Sequence, residues 1–236
     1  MPEPSPAVEV AIDRRFVIAV SGVLVLYSGV IQLVPGYNAI YVPISLAAAA
    51  LLATAAHNVG LRRADLGLER EMVPSGVAWG MAAAGVAAVM LAAGVAIPSL
   101  RPLFEDQRVA GLGSGLLAYR TLVRIPLGTA LLEEFAFRGV LFGAWRRIAG
   151  PLQAAAGSSV IFGLWHVRPA NDLLDLNNLA LAADTRVATL AAAILGATVA
   201  GFIFCLLRIR SRSLLAPFIA HAAVNSMAVL AAYLVA

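Results

Sequence analysis

The chain has 236 residues, 61% of them hydrophobic and only 13% charged, with a formal net charge of +4 and a mean hydropathy of +0.88. Soluble domains are roughly 45–50% apolar and about 25% charged, so this composition excludes one and requires a polytopic helical membrane protein. The charge is too small and too dispersed for a nucleic-acid surface. All 17 basic residues are arginine, a bias that GC-rich coding produces, so the expected setting is a bacterial inner membrane, crossed several times. The one cysteine, Cys205, lies in an apolar stretch, which rules out a disulfide within the chain and predicts a buried structural thiol.

Residues 1–13 carry Pro2, Pro4 and Pro6 and are expected to be a disordered tail. A transmembrane helix needs about 20 mostly apolar residues, and the chain offers seven such segments. The first covers residues 16–34, behind Arg14 and Arg15. It is longer than the roughly 7–15 residues of a signal-peptide core, and we expect a retained anchor. The turn Pro35-Gly36-Tyr37-Asn38 leads into the second, residues 39–56. A charged loop, residues 57–71, precedes the third, residues 73–97, rich in the Ala and Gly that permit close helix contact. Residues 98–124 are mixed and end in Tyr119, Arg120 and Arg124, consistent with an interfacial helix entering the fourth span, residues 125–145. Gly150-Pro151 opens the fifth, residues 152–167. A polar loop is expected over residues 170–186, with Asp172, Asp175, Asn177, Asn178 and Asp184. The sixth and seventh spans cover residues 187–207 and 214–235. The expectation is thus an all-α bundle: tail 1–13, N-terminal spans and interfacial segment 14–124, and a catalytic membrane core 125–236. With the N-terminus in the cytoplasm, Arg62, Arg63, Arg70, Arg146, Arg147, Arg208, Arg210 and Arg212 gather on the inner side, as the positive-inside rule requires.

The fourth span contains Glu133, Glu134 and Arg138. A single charge at a helix centre costs about 2.5–3.5 kcal/mol on insertion scales, so intramembrane ionisable groups point to function and to partners elsewhere in the membrane. Glu134 and Arg138 are four apart and can pair on one face. Glu133 is rotated by about 100° from Glu134 and is left to face the bundle centre. The fifth span supplies His166, with Phe162 one turn earlier. The seventh supplies His221 and, four residues on, Asn225. At about 1.5 Å per residue, Glu133, His166 and His221 lie roughly 18, 20 and 12 Å from the inner ends of their helices, close enough to meet if helices tilt by about 20°. The site is therefore expected in a cavity between the fourth, fifth and seventh spans.

Glu133-Glu134-Phe135-Ala136-Phe137-Arg138 fits an EExxxR motif, Phe162-Gly163-Leu164-Trp165-His166 an FxxxH motif, and His221-Ala222-Ala223-Val224-Asn225 an HxxxN motif. In this order and within apolar helices they resemble the CPBP family of CaaX proteases and bacteriocin-processing enzymes, also called the Abi family. Arg212–Pro217, before the last motif, looks like that family too. The resemblance covers about residues 125–236, and it implies a glutamate-dependent intramembrane endopeptidase acting on membrane-associated proteins or peptides.

The residues support the same chemistry. Desolvation raises the proton affinity of a carboxylate in an apolar cavity and makes it a better base near neutral pH; Glu133 is expected in that role, with His166 helping to hold the water. His221 and Asn225 would donate to the developing oxyanion, while Glu134, Arg138 and Phe162 support them. No cofactor is expected in this version. An alternative is zinc held by Glu133, His166 and His221, a ligand set of the type found in catalytic sites, although the contiguous His-Glu-x-x-His helix is absent. Two further classes remain: a non-catalytic scaffold or bacteriocin-immunity member of the family, and a proton-coupled transporter, which would also place Glu, His and Arg at mid-membrane. The absence of an internal repeat weighs against the transporter.

Overall fold

A computed structural model describes residues 14–176 and 183–236. The expected tail 1–13, and Asn177 and Asn178 of the expected loop, lie outside the described residues. Among the described residues the chain is helical, with no strand. We number the principal helices α1 (Arg14–Val30), α2 (Tyr37–Asn58), α3 (Val73–Ala96), α4 (residues 114–146), α5 (Pro151–Trp165), α6 (Val167–Leu176), α7 (Ala183–Ser211) and α8 (Leu215–Val235). Five stretches of helix among the described residues are long and apolar enough to cross a membrane: Arg14–Leu33, Tyr37–Asn58, Arg63–Ala96, Asp184–Ser211 and Leu215–Val235. These correspond to the first, second, third, sixth and seventh expected spans. Their outer faces carry Ile18, Leu51, Val89 and Leu195, each more than 60% exposed, far more apolar surface than a soluble monomer presents.

Helix α4 is the axis of the bundle. Its Leu132, Ala136, Phe137, Val140, Leu141 and Ala144 are buried together with Val17, Val20 and Leu24 of α1, Ala49 and Ala56 of α2, and Phe162 and Trp165 of α5. Because protein surrounds it, its charged side chains need not face lipid. The helix is not uniform. Its turns widen to π-type i→i+5 hydrogen bonding over Arg120–Ala130 and Phe135–Leu141, on either side of the ordinary turn Leu131–Glu134. Pro126 lies in the first of these stretches; it lacks an N–H and crowds the carbonyl four residues back, and a wider turn relieves that clash. In the second, Ser158 of α5 donates to the Phe137 carbonyl at 2.7 Å. Widened turns of this kind are frequent at functional sites.

Close approach of α3 and α8 follows from small residues four apart. A Cβ on Gly80 would lie 2.8 Å from Ile219 Cβ and 3.0 Å from the Ala216 carbonyl oxygen, and a Cβ on Gly76 would lie 2.5 Å from Ser213 Oγ. Only glycine lets these backbones meet, as in small-xxx-small membrane pairs.

One end of the bundle gathers the arginine-rich loops. Arg147 forms an ion pair with Asp65 at 2.6 Å. The buried Arg208 donates to the Ala64 and Asp65 carbonyls, both at 3.1 Å, at the end of the helical turn Arg63–Leu66. Gly67 closes that turn at φ +74, a left-handed conformation that glycine adopts without strain, and its carbonyl accepts from the Leu214 N–H at 2.9 Å. At the opposite end Arg124 of α4 donates to the Asn38 side chain at 3.0 Å and lies 4.1 Å over the Tyr41 ring. Between α3 and α4, partial burial works to raise the Asp106 pKa, but the Arg108 guanidinium and backbone N–H outweigh it and hold the carboxyl below its usual range.

The segment expected to be a loop after the fifth span begins with a helix instead. In α6 the ion pair Arg168–Asp172 (2.8 Å) and the hydrogen bond from Asn171 to Asp175 (3.2 Å) both join residues four apart, which stabilises a helix despite its polar composition. Cys205 is free and fully buried, with Ser159 Oγ 3.9 Å from its sulfur, in keeping with a structural thiol.

Candidate active site

Glu133 and Glu134 leave the ordinary turn Leu131–Glu134 of α4, between its two widened stretches, in different directions, as their 100° offset requires. Both are buried, at 6% and 0% exposure, and Arg138 is fully buried one turn on. Glu134 Oε1 receives two charge-assisted contacts, from Arg138 Nη1 at 2.9 Å and from His221 Nδ1 at 2.7 Å. The Arg138 guanidinium is sandwiched by aromatic faces, 4.1 Å from the Phe162 centroid and 5.1 Å from that of Phe204. A buried charge is tolerated only when paired and hydrogen-bonded, and Glu134–Arg138 meets that condition. The pairing expected from the i,i+4 spacing is present. The link from Glu134 to His221, 87 residues away, could not be anticipated from spacing.

Glu133 faces the other way. Its Oε2 lies 3.9 Å from His166 Nε2 and 3.8 Å from His221 Nε2, and among the described residues it makes no hydrogen bond. The far side of each imidazole is fixed. His166 Nδ1 is 2.8 Å from the Phe162 carbonyl oxygen. That atom can only accept, so Nδ1 carries the proton and neutral His166 presents a lone pair on Nε2 toward Glu133. His221 Nδ1 donates in the same way to the Glu134 carboxylate, which orients the His221 Nε2 toward Glu133. Phe162 packs edge-on to His166 (4.5 Å) and Phe204 stacks on His221 (5.1 Å), so both rings are held on two sides. His166 stands at the joint between α5 and α6 with its side chain 29% exposed, the open edge of an otherwise buried cluster.

Glu133, Glu134, Arg138, Phe162, His166 and His221, drawn from α4, α5 and α8, are therefore brought together. Asn225 stands one turn beyond His221 on α8, half-buried, and has no hydrogen bond among the described residues. Three contributors were not legible in the sequence. Trp165, a variable position of the FxxxH motif, is 7% exposed and donates from Nε1 to Glu133 Oε1 at 3.2 Å. Its ring stacks on Tyr27 of α1 at 5.6 Å and 12°, and its carbonyl accepts from Ser28 Oγ. Helix α1 thus braces the residue that braces Glu133.

A metal can be tested against the donor set. Tetrahedral zinc at about 2.0–2.1 Å from each ligand sets neighbouring donor atoms about 3.3–3.4 Å apart. The two measured separations, 3.8 and 3.9 Å, are wider, and no cluster of three or more ligand-type side chains suited to a metal ion occurs among the described residues. The triad does not fit tetrahedral zinc as it stands. A water hydrogen-bonded to Glu133 Oε2 and to either imidazole Nε2 spans such a separation without movement of the helices.

The fold and this site define a polytopic helical membrane protein with a buried glutamate–histidine centre. Residues 114–227 match the family model described as Type II CAAX prenyl endopeptidase Rce1-like, which agrees with the resemblance drawn from the three motifs. The matched segment begins where α4 begins and ends just beyond Asn225. No curated protein and no solved structure matches the chain.

Proposed function

We propose that the protein is an intramembrane endopeptidase that hydrolyses peptide bonds of membrane-associated proteins or peptides, with Glu133 as the general base and no metal. The observation that carries this reading is the convergence of Glu133 Oε2 with the Nε2 atoms of His166 and His221, each ring having its Nδ1 tied back. The family of residues 114–227 supplies the reaction class. In this reading α4 and α5 also cross the bilayer, which makes seven spans, with the site between α4, α5 and α8. The charges of α4 are compatible with this because they are paired or enclosed by protein.

A water bound here donates one hydrogen to Glu133 Oε2 and one to His166 Nε2. Glu133 takes a proton as the water oxygen attacks the scissile carbonyl carbon, forming the C–O bond. The tetrahedral oxyanion is met by Asn225 Nδ2 and by His221 in its protonated form, in which Nε2 becomes a donor. The hydrogen bond from its Nδ1 to Glu134 at 2.7 Å holds the ring with Nε2 turned to the site. Glu133 then passes its proton to the leaving nitrogen as the C–N bond breaks. Trp165 holds Glu133 Oε1 and so directs Oε2 to the water. Arg138 and Phe162 keep Glu134 and both histidines in register.

The test is cleavage of a prenylated C-terminal CaaX peptide and of a tail-anchored membrane protein by the purified chain in lipid. Wild type is expected to cut one of them and Glu133→Gln neither. Chelation separates the metal-free version from zinc: full activity after complete metal removal supports it, and loss restored by zinc refutes it. A cellular phenotype that survives Glu133→Ala, with the protein still inserted, would favour the scaffold alternative.

A further inference from the structure

We propose that the groove between the far halves of α3 and α8 binds an anionic phospholipid, with one acyl chain in the groove and the phosphate at Arg101. This site is on the other side of α8 from His221 and is independent of the proteolytic reading. The two helices touch where Gly76 and Gly80 permit it. Further along they part, leaving a groove of about 420 Å³ lined by Ala88, Ala92 and Val95 of α3 and by Met227 and Leu230 of α8. Ala88 and Ala92 are one turn apart, and their small side chains form the groove floor. The lining is apolar except at one point, the guanidinium of Arg101.

Arg101 is held in place. Phe104 packs on Gly94, where an added Cβ would come within 2.7 Å of its ring, and so fastens the turn Pro98–Phe104 to the end of α3. Arg101 Nε donates to the Val95 carbonyl at 2.9 Å. Its terminal nitrogens make no hydrogen bond or ion pair among the described residues, and they stand just past the end of a membrane-length helix, at the depth of lipid headgroups. Charge selects the occupant. From residue 88 to 96 the groove runs about 12 Å at 1.5 Å per residue, room for a stretch of acyl chain, and its one polar lining residue is the cation Arg101. That pairing suits an apolar chain with a negative head, and a cation near the membrane surface favours such lipids by roughly five-fold per charge.

The experiment uses the full chain in phosphatidylcholine nanodiscs doped with phosphatidylglycerol, with retained lipid read by native mass spectrometry. Wild type is expected to retain phosphatidylglycerol in preference to phosphatidylcholine. Arg101→Gln should lose about five-fold of that preference while still retaining lipid, whereas Arg63→Gln, at the other end of the bundle, should keep it. Ala92→Phe fills the groove and should lose retained lipid of both classes; Ala88→Phe serves if that variant folds poorly. Equal retention of the two lipids by wild type, or an unchanged preference in Arg101→Gln, overturns the proposal. So does a thermal loss in Arg101→Gln that is the same in pure phosphatidylcholine and carries no change in lipid preference, because Arg101 would then only cap α3. Retained lipid unaffected by both groove-filling variants also overturns it.

Discussion

Replacing Arg138 by methionine should be among the most destabilising single changes in the chain. The guanidinium is fully buried, its contact with Glu134 is 2.9 Å, and the Glu134 side chain is 1% exposed. Methionine keeps much of the packing against Phe162 and Phe204 but leaves a buried carboxylate with His221 alone. Breaking a buried pair by removing one partner costs about 3–5 kcal/mol, whereas replacing both partners by uncharged groups is often close to neutral. For a chain of this size such a loss corresponds to a melting shift of about 6–20 °C. The double variant Glu134→Gln/Arg138→Met removes both charges and keeps an acceptor for His221 Nδ1, so it should regain at least half of the loss. The single cysteine offers the assay, because Cys205 is fully buried in the native bundle and its labelling by a thiol-reactive dye reports unfolding. A melting point for Arg138→Met within about 2–4 °C of wild type, the equivalent of roughly 1 kcal/mol, or a double variant weaker than the single one, would refute the assignment of Glu134 and Arg138 to structure.

Trp165→Phe keeps the ring that stacks on Tyr27 and removes the donor to Glu133; kcat should fall about ten-fold, the effect of roughly 1.4 kcal/mol, with KM and the melting point nearly unchanged. Tyr27→Ala should lower kcat in the same direction from outside the family segment, and the two effects should not add when the variants are combined. Gly80→Val brings a side chain into the Ala216 backbone and should destabilise by about 1–3 kcal/mol, as overpacking does; dye labelling of Cys205 checks it. Asp106 has a depressed pKa in the fold, so its contribution to the order of the 105–109 loop is present above the unfolded value of about 3.9 and is lost as pH falls through the lower folded value. Protection factors of that loop, which correct for the intrinsic pH dependence of exchange, should therefore fall in acid, and Asp106→Asn should show lower protection at neutral pH.

Much of the site could be read before the structure because membrane helices make spacing informative. Glu134 and Arg138 share a face at four residues, and intramembrane His166 and His221 had few reasons to exist other than to meet Glu133. What could not be read were contacts between distant segments. The hydrogen bond from Ser28 to the Trp165 carbonyl joins residues 137 apart, and nothing local to Trp165 distinguishes a donor to Glu133 from an aromatic at the membrane boundary. Asn171, Asp172 and Asp175, following Pro169, predict a loop where α6 forms; its i,i+4 pairs override that propensity. Helices α4 and α5 fall outside the five long apolar stretches for opposite reasons. The first carries Glu133, Glu134 and Arg138, and the second has only 15 residues. Most of α4 from Leu132 to Ala144 is buried among its neighbours, so protein contacts replace the hydropathy that a lipid-facing helix requires, while α5 keeps Leu152, Val160 and Leu164 exposed.

The central claim is that Glu133 activates water without a metal. The most direct measurement is the rate at which purified, exhaustively chelated protein in lipid cuts a prenylated CaaX peptide, for wild type and for Glu133→Gln side by side. Chelated wild type is expected to retain its full rate and Glu133→Gln to fall by the roughly 10²–10⁴-fold typical of a lost general base, with an unchanged melting point. Wild-type cleavage that vanishes on chelation and returns with zinc, or a Glu133→Gln variant that cuts at the wild-type rate, would contradict it.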